Sequence, residues 1–347
     1  MDYKLYHLSH TDLDGYGCQM VTRRYFDSVT FYNSNYGREI NERFNQIFAD
    51  IQNDGFEKNI ILITDLNLTP EQAKEFDSKI MNTQENIMIL LLDHHKSGQD
   101  CAQEFDWYYL DDTRCATKIT YDFFSKLYGR DEKLNKFVNV VNAVDIWLED
   151  KAEFELGKVC LGLVSGAKEI NRIMFPKENS QYIFELLTKI QPYFDYEDPH
   201  IVLDENIHKI KKEILMQDKN DTLSNLISEY NVKMLNKNKE FMKIEYDGHL
   251  GILTYNIGNV SVIGNAFLKA NPNFDFFMDV TSKKTISLRA DGKIDVSKMA
   301  AKIANGGGHA NASGGLLGGF KDGFVYEGIR SQIMNLITKK LGGKNAR

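Results

Sequence analysis

Apolar residues gather in short runs near the start of the chain, and polar residues stand directly behind each run. Leu5 to Ser9 reads as a short strand, followed by a Gly-containing turn and a helix from about Cys18 to Phe26. Asn59 to Thr64 (NIILIT) is a continuous Ile-rich run entered through Asp54-Gly55, the pattern of a strand covered on both faces. Thr69-Pro70-Glu71-Gln72 opens a helix: Thr69 can cap, Pro70 suits the first helical position, and Gln72 completes a capping box. Asn86 to Leu92 (NIMILLL) is a second buried strand. Strands alternating with helices predict a parallel sheet with helices on both faces.

The middle is more polar. Asp204 to about Tyr230 carries many charges, with Ile207, Ile210, Ile214 and Leu215 at helical spacing, and predicts a connecting helix or helix pair. Strands return at His249–Tyr255, Phe274–Thr281 and Thr285–Arg289, with helices at Val262–Ala270, at Val296–Ala304 and after Asp322. The expected fold class is α/β. A parallel-sheet domain takes residues 1–195, a helical connector 196–240, and a smaller α/β domain 241–347, together forming a cleft.

Polar residues collect at the ends of the apolar strands. They are His10-Thr11-Asp12-Leu13-Asp14-Gly15, then Asp65 after NIILIT, then Asp93-His94-His95 after NIMILLL. A fourth candidate is Asp145 in VNAVDIW. Ligands of open α/β sheets bind outside the carboxyl ends of the strands. A lone Asp after a strand is more often a turn former or a cap; Asp-His-His behind a buried strand, in company with the other groups, is much rarer. Converging carboxylates repel one another unless a cation lies between them. Asp and His without Cys favour Mn²⁺ or Mg²⁺, and imidazole tilts the choice to Mn²⁺. Two such ions about 3.5–4 Å apart can clamp the attacking and leaving oxygens of a phosphoryl group.

A second element is Asn305-Gly306-Gly307-Gly308-His309-Ala310-Asn311-Ala312-Ser313-Gly314-Gly315. Consecutive glycines let backbone N–H groups approach a phosphate, and His309 adds a donor. Arg289 ends a nearby strand and suits bidentate phosphate contact. The plainer alternative is a helix cap followed by a hairpin, with Arg289 in solvent.

HTDLDG, Asp65, LLDHHKS and the Asp145 segment resemble the four ordered motifs of the DHH phosphoesterase superfamily. That family includes RecJ exonucleases, nanoRNases, cyclic-dinucleotide phosphodiesterases and family II pyrophosphatases. The resemblance implies two Mn²⁺ ions, with Mg²⁺ or Co²⁺ as alternatives. His10 and Asp12 would hold one, Asp14, His94 and Asp145 the other, and Asp65 would bridge them. Asp93 would orient a neighbouring ligand and His95 would face the substrate phosphate, making Asp65, Asp93, His94 and His95 the catalytic group. Many members place the first histidine four residues before the first Asp, which here is Leu8; this chain follows the HxDxDG variant. Period two along a strand end would keep His10, Asp12 and Asp14 on one face; His7, a stand-in for His10, has the opposite parity. SLR, DVSKMAAKIA and GGGHANASGG resemble the DHH-associated domain, which implies substrate binding by Arg289, Gly306, Gly307, Gly308 and His309 and argues against pyrophosphate. Start motif and length most resemble nanoRNase B-like members.

The expected reaction is Mn²⁺-dependent hydrolysis of short oligoribonucleotides to nucleoside monophosphates by a hydroxide between two metals, with 3′-phosphoadenosine 5′-phosphate as a related substrate. The alternatives are a cyclic or linear dinucleotide phosphodiesterase and a decayed nucleotide sensor, against which the intact ligand set speaks. Composition changes little: 42% hydrophobic and 26% charged residues are ordinary for a globular chain of 347. A net charge of −7 leans toward a short RNA or small nucleotide partner and away from long duplexes. A homodimer stays open. Four scattered cysteines, Cys18, Cys101, Cys115 and Cys160, read as buried thiols rather than a zinc site or a disulfide framework. The start Met1-Asp2-Tyr3-Lys4-Leu5 has neither a basic nor an apolar signal core, and no apolar run nears the roughly 18 residues of a membrane span. The expected location is the cytoplasm.

Overall fold

The structure is a computed structural model and describes residues 3–216 and 218–342. Met1, Asp2, Gln217, on which the expectation of a connecting helix falls, and the last five residues lie outside the described part. The chain divides into two compact units. One comprises the residues through Ala167 with Ser180–Ile210, the other Lys168–Asn179 with the chain from Lys211 onward.

The first unit is built on five strands, β1 (Tyr3–Ser9), β2 (Val29–Asn33), β3 (Lys58–Thr64), β4 (Ile87–Asp93) and β5 (Tyr108–Leu110). They run in the order β2-β1-β3-β4-β5, every pair parallel. Period two sorts their side chains. Tyr6, Leu8, Ile61, Ile63 and Leu91 turn to a fully apolar core with Phe44 and Phe76, whose rings stack at 3.5 Å. Complete burial of each such side chain contributes about 1.5–3 kcal/mol. The alternate positions near the strand ends are polar and bond to one another, with only His7 Nδ1 left without a partner among them. His7 Nε2 lies 2.8 Å from Thr64 Oγ1, and Ser9 Oγ lies 2.7 Å from the same hydroxyl and donates to Gly15 O at 2.9 Å.

The capping box on the helix Pro70–Met81 forms as its sequence predicts, with Pro70 in the first turn. The first helix does not start where the glycines suggest. It spans Leu13–Tyr25, so Gly15 and Gly17 lie inside it rather than in a turn. Asp12 is the reason: its side chain caps the helix by accepting from Gly15 N at 3.0 Å. A Cβ on Gly15 would sit 2.4 Å from the His10 carbonyl oxygen, so only glycine lets the helix start this close to β1. The short edge strand β2 gave no clear period in the sequence.

The second unit carries β6 (Lys243–Tyr246), β7 (His249–Tyr255), β8 (Phe276–Val280), β9 (Thr285–Ala290), β10 (Gly307–His309) and β11 (Ala312–Leu316). Their order is β10-β11-β9-β8-β7-β6. Only β7 and β8 pair in parallel, and the helix Val260–Ala270 makes the crossover between them that parallel strands require. The polar middle forms two helices, Pro199–Leu215 and Leu223–Met242. Among the described residues no helix is long and apolar enough to cross a membrane.

Candidate metal centre

The strands β1, β3 and β4 end side by side, and each hands its next residues to the same edge. His10 and Asp12 follow β1, Asp65 follows β3, and β4 ends at Asp93 with His94 and His95 behind it. Asp65 takes a left-handed backbone, φ 55°, rare for a residue with a side chain and costing on the order of 1–3 kcal/mol. That turn swings its carboxylate into the cluster, where it is buried.

Two donor groups meet at Asp65. On one side His10 Nδ1 lies 2.8 Å from Asp12 Oδ2 and 3.7 Å from Asp65 Oδ2. On the other, His94 Nε2 lies 3.4 Å from Asp65 Oδ1, 3.6 Å from Asp145 Oδ2 and 3.7 Å from Asp14 Oδ2. Asp65 thus faces each group with a different oxygen. The strand-parity argument for His10, Asp12 and Asp14 does not hold as a mechanism, because β1 ends at Ser9, Asp12 is a helix cap and Asp14 lies in the first helical turn. The helix sends Asp14 to the second group. There its two oxygens accept from Ala116 N and Thr117 N, both at 2.8 Å, at the N-terminus of the helix Ala116–Tyr128. His7 stays in the sheet, bonded to Thr64, and burial pushes its pKa down to about 3.

Asp93 is fully buried and has both oxygens occupied. His95 Nδ1 donates to Oδ1 at 2.7 Å, and Tyr108 O–H donates to Oδ2 at 2.9 Å. Burial alone would lower the His95 pKa, but the Asp93 carboxylate outweighs it and raises the value. The far nitrogen of His95, Nε2, lies 3.0 Å from Tyr36 Oη. The Tyr36 ring also packs on His10 at 4.7 Å. Sequence reasoning missed Tyr36 and Tyr108. Tyr36 comes from the turn after the unrecognised β2, and Tyr108 from a strand of three residues; neither stands in a motif.

The donor set fits divalent ions. The 3.4–3.7 Å separations around His94 Nε2 are too long for strong hydrogen bonds, and suit donors that share an ion at about 2.0–2.2 Å. Asp65 Oδ2 is buried without a hydrogen-bond partner. Burial, then Asp14, holds the Asp65 carboxyl well above the usual range, and the same two causes push Asp145 up to about 9. Burial would lower the His10 pKa, but Asp12 and Asp65 overcome it and lift it to about 10. A cation between these groups relieves the repulsion and returns the carboxylates to their charged form. Cys115 also lies near Asp14 and Asp145, but burial and Asp14 push its thiol well up, which disfavours the thiolate a metal needs. All four cysteines are free and buried.

The second unit gathers its own candidates. The Gly-rich element is a hairpin: Asn305 caps the preceding helix in a left-handed conformation, then β10 pairs antiparallel with β11. His309 stands opposite Ala312, and Ala312 opposite Arg289, so His309 and Arg289 project from the same face with a small residue between them. Arg289 Nη2 donates to Ser261 Oγ at 2.7 Å and Nη1 to its neighbour's carbonyl, Leu288 O, at 2.8 Å. The glycines divide. A Cβ on Gly306 would come within 2.0 Å of Gly314 O, and Gly308, at φ 146°, would strike Ala312 O at 2.6 Å. Hairpin packing accounts for both, whereas Gly307 faces open space.

No family model matches the chain. A 3′,5′-cyclic-nucleotide phosphodiesterase of Helicobacter pylori is 42% identical over 344 residues, which cover 96% of this chain and 99% of that protein. Oligoribonuclease NrnB of Bacillus subtilis is 26% identical over 324 residues, covering 89% of this chain and 72% of that one. A crystal structure of an uncharacterized protein from Helicobacter pylori G27 superposes with a TM-score of 0.92 at 40% identity, covering 97% of this chain and 99% of that one.

Proposed function

The chain belongs to the DHH phosphoesterase family, as a metal-dependent phosphodiesterase or oligoribonuclease, and from that premise we propose that it hydrolyses the 3′,5′-phosphodiester linkage of small nucleotides with two Mn²⁺ ions. The observation that carries the reading is Asp65, whose two oxygens face separate donor groups. His10 and Asp12 would hold one ion, Asp14, His94 and Asp145 the other, and Asp65 both, with Mg²⁺ or Co²⁺ as alternative ions. When bound, such ions supply an activated water and neutralise charge building on the phosphoryl oxygens. The chain's own residues do the rest. Asp93 holds His95 by its Nδ1–H, which leaves Nε2 for the phosphate once the Tyr36 hydroxyl gives way. Arg289 and His309, with the Gly306-Gly307-Gly308 backbone, would grip a phosphate or nucleotide end.

Two substrates share this linkage. The full-length similarity to a 3′,5′-cyclic-nucleotide phosphodiesterase favours cyclic nucleotides as the first substrate. The similarity to an oligoribonuclease favours short oligoribonucleotides, cut to nucleoside monophosphates, as the second. The test is a panel at fixed Mn²⁺: 3′,5′-cyclic AMP, diadenylate, pentaadenylate, cyclic di-AMP and 3′-phosphoadenosine 5′-phosphate. We expect the highest kcat/KM on cyclic AMP and measurable release of monophosphates from diadenylate. Dominant turnover of cyclic di-AMP, or activity confined to phosphomonoesters, would overturn the reading.

A further inference from the structure

We propose that the exposed side of the helix Ala116–Tyr128 binds the phosphodiester backbone of a single-stranded oligonucleotide and leads it toward the metal centre. This rests on the oligoribonucleotide reading above. Lys118, Asp122 and Lys126 recur every four residues of this helix, the spacing that stacks side chains on one face, with Arg114 just before the helix and Arg130 just after it. They line a groove of about 300 Å³ together with Ser125. Four cations thus surround one carboxylate, in a chain whose net charge is −7.

Asp122 accounts for only part of that charge. Its two oxygens pair with Arg114 and Lys118, and Arg114 also bonds Asp111 at 2.8 Å. Among the described residues Lys126 and Arg130 pair with no carboxylate. Beside the stripe, Phe123 and Leu127 are exposed at 38% and 62%. A basic track beside an exposed aromatic ring is the combination that holds single strands, the cations on the phosphates and the ring, here Phe123, against a base. The position gives the direction. The stripe begins at Arg114, two residues before Ala116, whose amide holds Asp14 of the metal centre.

Length makes the inference specific. Lys118 and Lys126 are two helical turns apart, about 12 Å at a rise of 1.5 Å per residue. A stacked strand carries one phosphate about every 3.4 Å along its axis, so a strand lying along the groove reaches both lysines only when it is several nucleotides long. A cyclic mononucleotide or a dinucleotide cannot use the far end.

The test is a length series of oligoadenylates, two to ten nucleotides, on the full chain and on its K126E/R130E variant with Mn²⁺. The wild type should gain kcat/KM from dimer to pentamer. K126E/R130E should lose that gain, by roughly tenfold on the pentamer, and its salt dependence of pentamer binding should flatten by about two in logarithmic slope. Cyclic AMP turnover reports that the variant is folded, and K126R/R130K should keep the gain. Pentamer binding to the Asp65→Asn chain, where cleavage is blocked, gives the same comparison without turnover. An unchanged length profile in K126E/R130E overturns the track while leaving the oligoribonuclease reading intact. A wild type that cleaves cyclic AMP but neither binds nor cleaves oligoadenylates overturns both.

Discussion

Asp65 and Asp279 are aspartates buried almost completely, at 2% and 1% exposure, one in each unit. Asp65 follows an apolar strand and Asp279 lies one residue inside the end of another, and burial raises the pKa of both. Their oxygens tell them apart. Asp279 Oδ1 accepts from the Thr254 hydroxyl at 2.7 Å and from Ile257 N at 3.1 Å, so the carboxylate ties β8 to the turn behind β7. Asp65 Oδ2 accepts no hydrogen bond, and Asp14 and Asp12 add repulsion to its burial. A buried carboxylate is therefore no sign of a reactive site by itself. What marks the site is a buried oxygen left unmatched and turned toward other acids, since desolvation without a partner costs far more than a satisfied hydrogen bond returns.

The sharpest way to break this contrast is to remove the charge at Asp65. D65N should lower kcat on cyclic AMP by roughly 1000-fold or more, about 4 kcal/mol of barrier. Without metal, its melting temperature should equal or exceed that of the wild type, because the cost of burying an ionisable carboxyl beside Asp14 and Asp12 has gone. Mn²⁺ should raise the melting temperature of the wild type, as any ligand of the native state does, and leave D65N nearly unmoved. A full Mn²⁺ shift in D65N would remove Asp65 from the shared position.

The same substitution at Asp279 should read in the opposite way. Burial pushes its pKa to about 7 from the ordinary 3.8, with the bonds from Thr254 and Ile257 pulling back. Between these values the folded chain keeps a proton that the unfolded chain has released. Stability therefore falls as pH rises through that window and levels off above about pH 7. Three units correspond to about 4 kcal/mol at most, at 1.36 kcal/mol per unit. D279N keeps an acceptor for Thr254 and Ile257 but cannot ionise. Thermal unfolding at pH 5 and pH 7.5 should show the wild type losing stability relative to D279N at the higher pH, with activity on cyclic AMP within a few-fold. Parallel pH profiles for the two proteins would show that Asp279 is ionised at little cost.

Asp93 stands between the two cases. It lies at the candidate metal centre, yet both its oxygens are bonded, whereas Asp279 takes its two bonds on Oδ1 alone. D93N should lower kcat by about 10–100-fold through loss of His95 orientation, a typical cost for a residue that positions a site histidine. The Mn²⁺ shift in melting temperature should survive. Its loss would make Asp93 a ligand rather than a support.

These three aspartates also show how far the sequence could be read. Asp65 and Asp93 stand behind runs, NIILIT and NIMILLL, whose length and Ile/Leu content dictate strands, so their place at one sheet edge was legible. The parallel order and the capping box of Pro70–Met81 were legible for the same local reasons. Asp279 was not, because nothing local distinguishes a carboxylate bonded to Thr254 from one at a surface strand. The start of the first helix was misread because Gly15 and Gly17 resemble a turn. Only the approach of Gly15 to the His10 carbonyl explains them, and that is tertiary. Tyr36, Tyr108 and the amides that grip Asp14 come from elements distant in sequence, and such partners carry no spacing signal.

Tyr108 supplies the finest cut. Its hydroxyl fills Asp93 Oδ2, and it reaches there because residue 98 is glycine: a Cβ on Gly98 would lie 2.0 Å from that hydroxyl. Y108F keeps the ring and removes one donor. Asp93 then holds His95 with one oxygen while the other is buried and unpaired, a loss on the order of 1–3 kcal/mol in stability. His95 keeps its own bond, so kcat should fall by less than about tenfold, less than a site histidine's direct partner costs. G98A should reproduce the defect by pushing the phenol aside, and the G98A/Y108F pair should fall short of the sum of the two, since both act through one contact. If Y108F instead matched D93N in kcat, Asp93 would work only as a doubly bonded unit. Its likeness to Asp279 would then be closer than its place beside Asp65 suggests.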